Sequence, residues 1–206
     1  MKTISKEKYD ILEGIVKEYI NDHCIIRKKM PGKKPGSTYT WMFYLRNGLF
    51  NPQFLFYVSE MMLYKLHEEL GNYNFQICGA ETAGTPLAAS LPLVSHLHQI
   101  EMTGFVIRKE QKNYGLKNWH EGIAYEDIPY VLVDDLCNSS TSLKHSDNIC
   151  KGLGMKPTKL AIVIVNKYNK KLHDEKRSNS DMYLPEDYKI ISLFDLDSFN
   201  LTGASH

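Results

Sequence analysis

Tyr130-Val131-Leu132-Val133-Asp134-Asp135-Leu136-Cys137-Asn138-Ser139-Ser140-Thr141-Ser142 is the stretch around which the rest of the chain is organised. It opens as a short apolar run of strand type, closes that run with two adjacent carboxylates, and continues into small hydroxyl and amide residues. A helical pattern follows from Leu143. A strand, an acidic pair, a small-residue turn and a helix N-terminus together suit a sugar phosphate. The turn's backbone N–H groups and the helix dipole attract an anion, and Asn, Ser and Thr side chains add hydrogen bonds. Carboxylates at the C-terminal end of the strand can hold ribose hydroxyls or a hydrated Mg²⁺. In an open α/β sheet that end is where ligands bind. An Asp-Asp pair alone fits equally well with a buried strand, a capped helix and two solvent-facing aspartates. The partners of this stretch elsewhere in the chain favour the site.

Composition narrows the field. A chain of 206 residues suffices for one α/β domain with a real core and a small subdomain. A hydrophobic share of 43% with 24% charged residues is that of an ordinary soluble globular protein. A net charge of +1 makes no case for a nucleic-acid or membrane surface. Cys24, Cys78, Cys137 and Cys150 contain no C-x₂-C pair, so neither a zinc site nor a redox motif is indicated. Met1-Lys2-Thr3-Ile4-Ser5-Lys6 has no apolar signal region, and no apolar run reaches membrane-spanning length. The expected compartment is the reducing cytoplasm.

Residues 5–21 carry an apolar stripe at helical spacing, Ile11, Leu12, Ile15, Val16, Tyr19 and Ile20. Residues 27–36 are basic and rich in Gly and Pro, which predicts a loop, and residues 39–46 read as an aromatic strand. Residues 1–50 are therefore expected to form an N-terminal helix and small hood, with the core in residues 51–206. On the residues alone, a surface hairpin with a basic tip fits the hood segment as well as a ligand cover does. Asn51-Pro52 starts a helix with an N-cap and a Pro at its first position, and Gly71 closes it. Residues 75–78 read as a buried strand. Gly79-Ala80-Glu81-Thr82-Ala83-Gly84-Thr85-Pro86 is a second small-residue turn into a helix, which extends to about residue 98. His96 and His98 are two apart and face different ways on that helix, so they are not paired as metal ligands.

Residues 104–107 form another short strand. They feed Arg108-Lys109-Glu110-Gln111-Lys112-Asn113-Tyr114-Gly115, a cation-rich loop start, and then a polar stretch to Gly122. Residues 160–165 are continuously apolar, as in a strand buried on both faces. Asn166-Lys167 follow, then an exposed charged loop over residues 170–181 and a last strand at residues 188–193. Gly152-Leu153-Gly154 follows a helix and lacks a third Gly, so it is no dinucleotide fingerprint. Alternating strands and helices from residue 52 onward predict an α/β fold, a mostly parallel sheet flanked by helices.

Residues 130–142 resemble the phosphoribosyl-diphosphate (PRPP) signature of the type I phosphoribosyltransferases, in which an apolar strand leads into two acidic residues and a Thr/Ser/Gly-rich loop. The resemblance implies that Asp134 and Asp135 fix the ribose, and that Asn138, Ser139, Ser140, Thr141 and Ser142 hold the 5′-phosphate. Ser140 stands where that family usually has Gly. The turn Glu81, Thr82, Ala83, Gly84 is similar to one that orotate phosphoribosyltransferases place against pyrophosphate. Arg108, Lys109, Lys112 and Gly115 match their Arg-Lys-x-x-Lys-x-His-Gly catalytic loop, with Tyr114 in place of the His. Lys167 matches, more loosely, an Arg near the base.

The resemblance runs over residues 28–195. It implies Mg²⁺-dependent transfer of a phosphoribosyl group from PRPP to a nucleobase, with orotate favoured, giving orotidine 5′-phosphate and pyrophosphate. Catalysis would rest on Arg108, Lys109, Lys112, Asp134 and Asp135. The Mg²⁺ would be held mainly through PRPP, without dedicated protein ligands. A homodimer is implied, the 108–119 segment of one subunit covering the other's PRPP. A phosphoribosyltransferase for a different base, and a PRPP-binding regulator without catalysis, stay open.

Overall fold

The structure is a computed structural model that describes residues 4–32, 35–111, 118–167 and 184–201. Its elements run α1 (Lys6–Tyr19), β1 (Ile25–Ile26), β2 (Met30–Pro31), β3 (Thr38–Tyr39), β4 (Met42–Phe43), α2 (Arg46–Leu49) and α3 (Pro52–Leu70). They continue β5 (Gln76–Ala80), α4 (Gly84–Leu97), β6 (Gly104–Ile107), β7 (His120–Gly122), β8 (Tyr130–Cys137), α5 (Thr141–Gly152), β9 (Pro157–Asn166) and β10 (Lys189–Asp195). The main sheet has the order β10-β9-β8-β5-β6-β7. Every neighbouring pair is parallel except β6 and β7.

The expected helix-flanked parallel sheet is therefore present, and the period of two along its strands shows how it is covered. Val131, Val133, Ile162 and Ile164 point into a core shared with α1, α3 and α4. Their neighbours Tyr130, Leu132, Ala161 and Val163 point into a second core with α5. Both faces of β8 and β9 are thus dry, which is why residues 160–165 are apolar without alternation.

Local signals account for the helix ends. Ser5 caps α1 by accepting the Lys8 N–H at 3.2 Å. Asn51 caps α3 by accepting the Phe54 N–H at 3.0 Å, and Gly71 ends it at φ +70°. Helix α5 is held from its middle. Asp147, fully buried, accepts from Tyr130 Oη at 2.7 Å and from Tyr188 Oη, and pairs with Lys151 Nζ at 2.9 Å. These bonds tie α5 to the start of β8 and the residue before β10.

Three sequence expectations change. Residues 39–46 are not one strand. Residues Thr38–Tyr39 pair with β2, and Met42–Phe43 pair with β1. Phe43 and Leu45 are both drawn into the core, so the chain bends into α2 at Arg46. Strand β8 does not stop at the acidic pair. It continues to Cys137, because β9 extends beside it and keeps the ladder intact through Leu136↔Val165 and Cys137↔Asn166. The polar residues 120–122 form an antiparallel edge strand, too short and too polar for periodicity to reveal. No described helix is long and apolar enough to cross a membrane. Residues 170–181, expected to be an exposed loop, lie outside the described residues.

Candidate active site

Three turns meet at the C-terminal ends of β5, β6 and β8. The first, between β5 and α4, is built for close approach. A Cβ on Gly79 would lie 2.5 Å from the Gly84 carbonyl oxygen, and one on Gly84 would lie 2.9 Å from the Val133 carbonyl oxygen. Only Gly fits at either position without moving the turn off β8. The Glu81–Thr82 peptide is cis. The Glu81 carboxylate accepts the Lys109 N–H at 2.9 Å.

The second turn leaves β6 at Arg108. The Arg108 N–H donates to the Trp119 carbonyl at 2.9 Å, and the Arg108 guanidinium pairs with Glu121 of β7 at 2.9 Å. Lys109 follows. Lys112, Tyr114 and Gly115 lie outside the described residues.

The third turn carries the acidic pair. Asp134 is 8% exposed and Asp135 is half-buried. Asp134 Oδ1 accepts the Asp135 N–H at 2.9 Å. Burial pushes both carboxyls above the usual carboxylate range. For Asp134 the neighbouring Asp135 charge adds to that push, while the Lys109 ammonium opposes it. For Asp135 the hydrogen bond from Asp134 and the charge of Arg46 are among the opposing effects. Among the described residues, no group of three or more His, Cys, Asp and Glu side chains could hold a metal ion. The pair alone still fits a divalent cation that brings most of its oxygens from a ligand, since such a cation would relieve two crowded, buried carboxylates.

Ser140 takes φ +57°, ψ +9°, the left-handed conformation that Gly adopts freely. A backbone state open to Gly is thus held by Ser140, and α5 begins directly after it at Thr141, ahead of the expected Leu143. Its hydroxyl oxygen accepts the Leu184 N–H at 3.1 Å, and its carbonyl accepts the Lys144 N–H at 2.8 Å. Ser139 Oγ and Thr141 Oγ1 lie 3.2 Å apart at the mouth of the helix. Asn138 begins the turn.

The turns enclose a cavity of about 310 Å³. Asp134, Asp135, Lys109, Thr82, Ala83 and Ser142 line it from the sheet side, with Glu81 at its edge. The hood supplies Tyr44 and Arg46, whose guanidinium stacks 5.0 Å from the Tyr44 ring. Neither was foreseen, because only the fold carries residues 44–46 over β8. A second cavity of about 240 Å³ shares Lys109, Glu81 and Ser142 and extends to His145 and Ser146 on α5. Lys167 stands to one side. Its ammonium lies 4.8 Å over the Trp41 ring and 6.0 Å from Phe43, which lines the larger cavity, and burial lowers its pKa. The structure thus brings together Lys109, both aspartates, Ser142 and the first turn. It ties the Arg108 guanidinium to Glu121, and it places Lys167 against the hood aromatics.

This sheet order, with its acidic pair and its two anion-type turns, is the type I phosphoribosyltransferase fold. The orotate phosphoribosyltransferase of Mycobacterium tuberculosis H37Rv superposes with a TM-score of 0.71 at 13% identity, over 92% of this chain and 99% of that one. The adenine phosphoribosyltransferase of Trypanosoma brucei superposes with a TM-score of 0.60 at 12% identity, over 92% and 81%. In sequence, the chain is 28% identical over 123 residues to bovine uridine 5′-monophosphate synthase, covering 60% of this chain and 24% of that protein. It is 27% identical over 112 residues to the orotate phosphoribosyltransferase of Aquifex aeolicus, covering 54% and 59%. The chain thus spans less than two thirds of either curated relative. No family model matches it.

Proposed function

We propose that this chain is a Mg²⁺-dependent phosphoribosyltransferase that moves the phosphoribosyl group of PRPP to a nucleobase, with orotate as the favoured acceptor. The observation that carries the reading is the buried Asp134-Asp135 pair facing Lys109 across one cavity, beside the left-handed turn that opens α5. The curated relative from Aquifex aeolicus, an orotate phosphoribosyltransferase, supports orotate. The adenine enzyme among the fold's neighbours keeps a different base open as the second reading.

The chemistry follows from placement. Ser139, Thr141, Ser142 and the first N–H groups of α5 hold the 5′-phosphate, with Asn138 and Ser140 shaping the turn. Asp134 and Asp135 accept from the ribose hydroxyls. The backbone of Thr82, Ala83 and Gly84 faces the pyrophosphate. A base nitrogen attacks C1 as the bond from C1 to the pyrophosphate oxygen breaks, through a transition state of oxocarbenium character. Negative charge grows on the leaving pyrophosphate, and Lys109, together with Lys112, stabilises it. Orotate attacks as an anion, so neither aspartate has to remove a proton. When bound, Mg²⁺ would supply further charge neutralisation; it would be held mainly through PRPP, with Asp134 and Asp135 able to add carboxylate oxygens. The hood, through Tyr44 and Phe43 with Lys167 behind it, covers the base.

The active unit in this reading is a homodimer in which Lys109 serves the cavity of its own subunit and the rest of the 108–119 segment, Lys112 included, acts across the interface. An apolar groove of about 690 Å³, walled by Leu49, Leu55, Pro86 and Leu93, adjoins Glu81 and Thr82 and supports it. Phe50, 79% exposed at its edge, is the kind of side chain a second copy would bury.

Calorimetry tests the site. PRPP should bind with Mg²⁺, and Asp135→Asn should weaken it by about 1–3 kcal/mol, the scale of a lost hydrogen bond to a charged group. Unchanged binding in that variant would remove Asp135 from the site.

A further inference from the structure

The peptide group that joins Arg108 to Lys109 is gripped from both sides by side chains. Its N–H, on Lys109, donates to the Glu81 carboxylate at 2.9 Å. Its carbonyl, on Arg108, lies 3.1 Å from His145 Nε2. A carbonyl oxygen only accepts, so Nε2 carries the proton in this contact. The two grips come from different turns of the site. Glu81 belongs to the turn after β5, and His145 opens the second turn of α5, four residues after Thr141 and on its face. The Trp119 ring meets the His145 ring edge-on at 6.3 Å, and the Trp119 carbonyl accepts the Arg108 N–H at 2.9 Å. His145 therefore touches both described ends of the segment that Arg108 opens.

A peptide group is a rigid plane, so holding its N–H and its C=O fixes the torsions on either side. One of those is the φ of Lys109, which sets the direction in which its side chain leaves the backbone. Lys109 lines both cavities, and its ammonium acts on Asp134. His145 itself is exposed and fills no core. A purely structural part would leave Ala, the better helix former, at least as good there.

We propose that His145 is a positioning residue that works with Glu81. The pair locks the Arg108–Lys109 peptide so that the Lys109 ammonium is preorganised over the cavity, and it ties that lysine to the helix whose N-terminus takes the phosphate. The consequence for turnover rests on the phosphoribosyltransfer reading; the clamp itself does not. Glu81, an anion in a turn that faces pyrophosphate, thereby has a use that does not require it to touch the ligand.

Amide hydrogen exchange at Lys109, followed by NMR in the full chain, reads the clamp without substrate. The loss of one hydrogen bond, about 1 kcal/mol, corresponds to roughly five-fold. His145→Ala should therefore speed Lys109 exchange about five-fold, whereas His145→Gln, whose amide N–H can reach the same carbonyl, should stay within about two-fold of wild type. In steady state, His145→Ala should lower kcat about five-fold while KM for PRPP moves less than about two-fold, and Gln should restore kcat. Unchanged exchange in the Ala variant, or equal losses in Ala and Gln, would overturn the proposal. A wild-type protein that turns over no base, with Lys109 exchange still answering to His145→Ala, would overturn the phosphoribosyltransfer reading and support the clamp.

Discussion

Asp134 sits where a carboxylate is least comfortable, buried and next to a second one, with the Lys109 ammonium as a counter-charge. A raised folded-state pKa means the folded protein holds its proton more tightly than the unfolded chain does. Stability contributed this way is present at acid pH and is lost as pH rises from the unfolded value near 3.8 through the folded one. At neutral pH the free protein therefore carries a cost that a bound cation would relieve. Asp134→Asn, which can still accept the Asp135 N–H through its amide oxygen, should stabilise the ligand-free protein by about 1–3 kcal/mol at pH 7. The gain should shrink as the pH approaches 4. Denaturant melts of both proteins across that range measure it, and a variant less stable than wild type at pH 7 would show that the pair is already compensated. At this scale the sequence was informative about chemistry and silent about encounter. The aspartates announce themselves by their place after an apolar run. Arg46, Tyr44 and His145 do not, because each reaches the site across the fold, and no local pattern marks a cation at the end of an aromatic run as one that will face Asp135.

The element that matters most is the β8–α5 connection, and its hinge is Ser140. A left-handed residue with a side chain costs on the order of 1 kcal/mol. Ser140 offsets part of this with the hydrogen bond from Leu184 N–H. Two substitutions separate these effects. Ser140→Ala keeps the unfavourable conformation and discards the bond, so it should destabilise by about 1–2 kcal/mol. Ser140→Gly discards the bond but removes the conformational cost, so it should be the more stable of the two by about 1 kcal/mol. Thermal melts that rank Ala at or above Gly would mean the turn is not left-handed in solution. The need for such a residue was legible from the family pattern, which has Gly there. The start of α5 two residues early was not, since it depends on the φ of Ser140 rather than on hydrophobic spacing. Likewise β7 escaped notice because its three polar residues pair only along the edge of β6. Strands β8 and β9 were the opposite case: burial on both faces leaves a continuous apolar run that points to one structure.

For the whole molecule, the alternation of strands and helices was enough to predict a parallel sheet covered on both sides, because few connections other than right-handed crossovers satisfy it. How the N-terminal fifty residues attach was not readable. Residues such as Tyr9, Leu12, Val16 and Phe43 prove to be part of the same core as α3 and the sheet. The assembly proposed above makes a separate prediction. Lys112→Ala and Asp135→Asn subunits are each impaired alone. If Lys112 acts across a two-fold interface, mixing them makes about half of all dimers hybrid, each with one intact site of two, and activity should recover to about a quarter of wild type. No recovery, with hybrids present, would mean that Lys112 acts in its own subunit.

The activity proposed for this cavity is phosphoribosyl transfer. The most direct measurement is pyrophosphate release from PRPP and Mg²⁺ in the presence of a panel of bases, orotate, uracil, adenine, guanine and hypoxanthine, each with the product nucleotide identified. Turnover on the order of 1 s⁻¹ or faster is expected with orotate, yielding orotidine 5′-phosphate. Turnover with a different base alone would keep the reaction and contradict the acceptor. Saturable PRPP binding with no pyrophosphate released for any base would contradict the claim itself and leave a PRPP-binding regulator in its place.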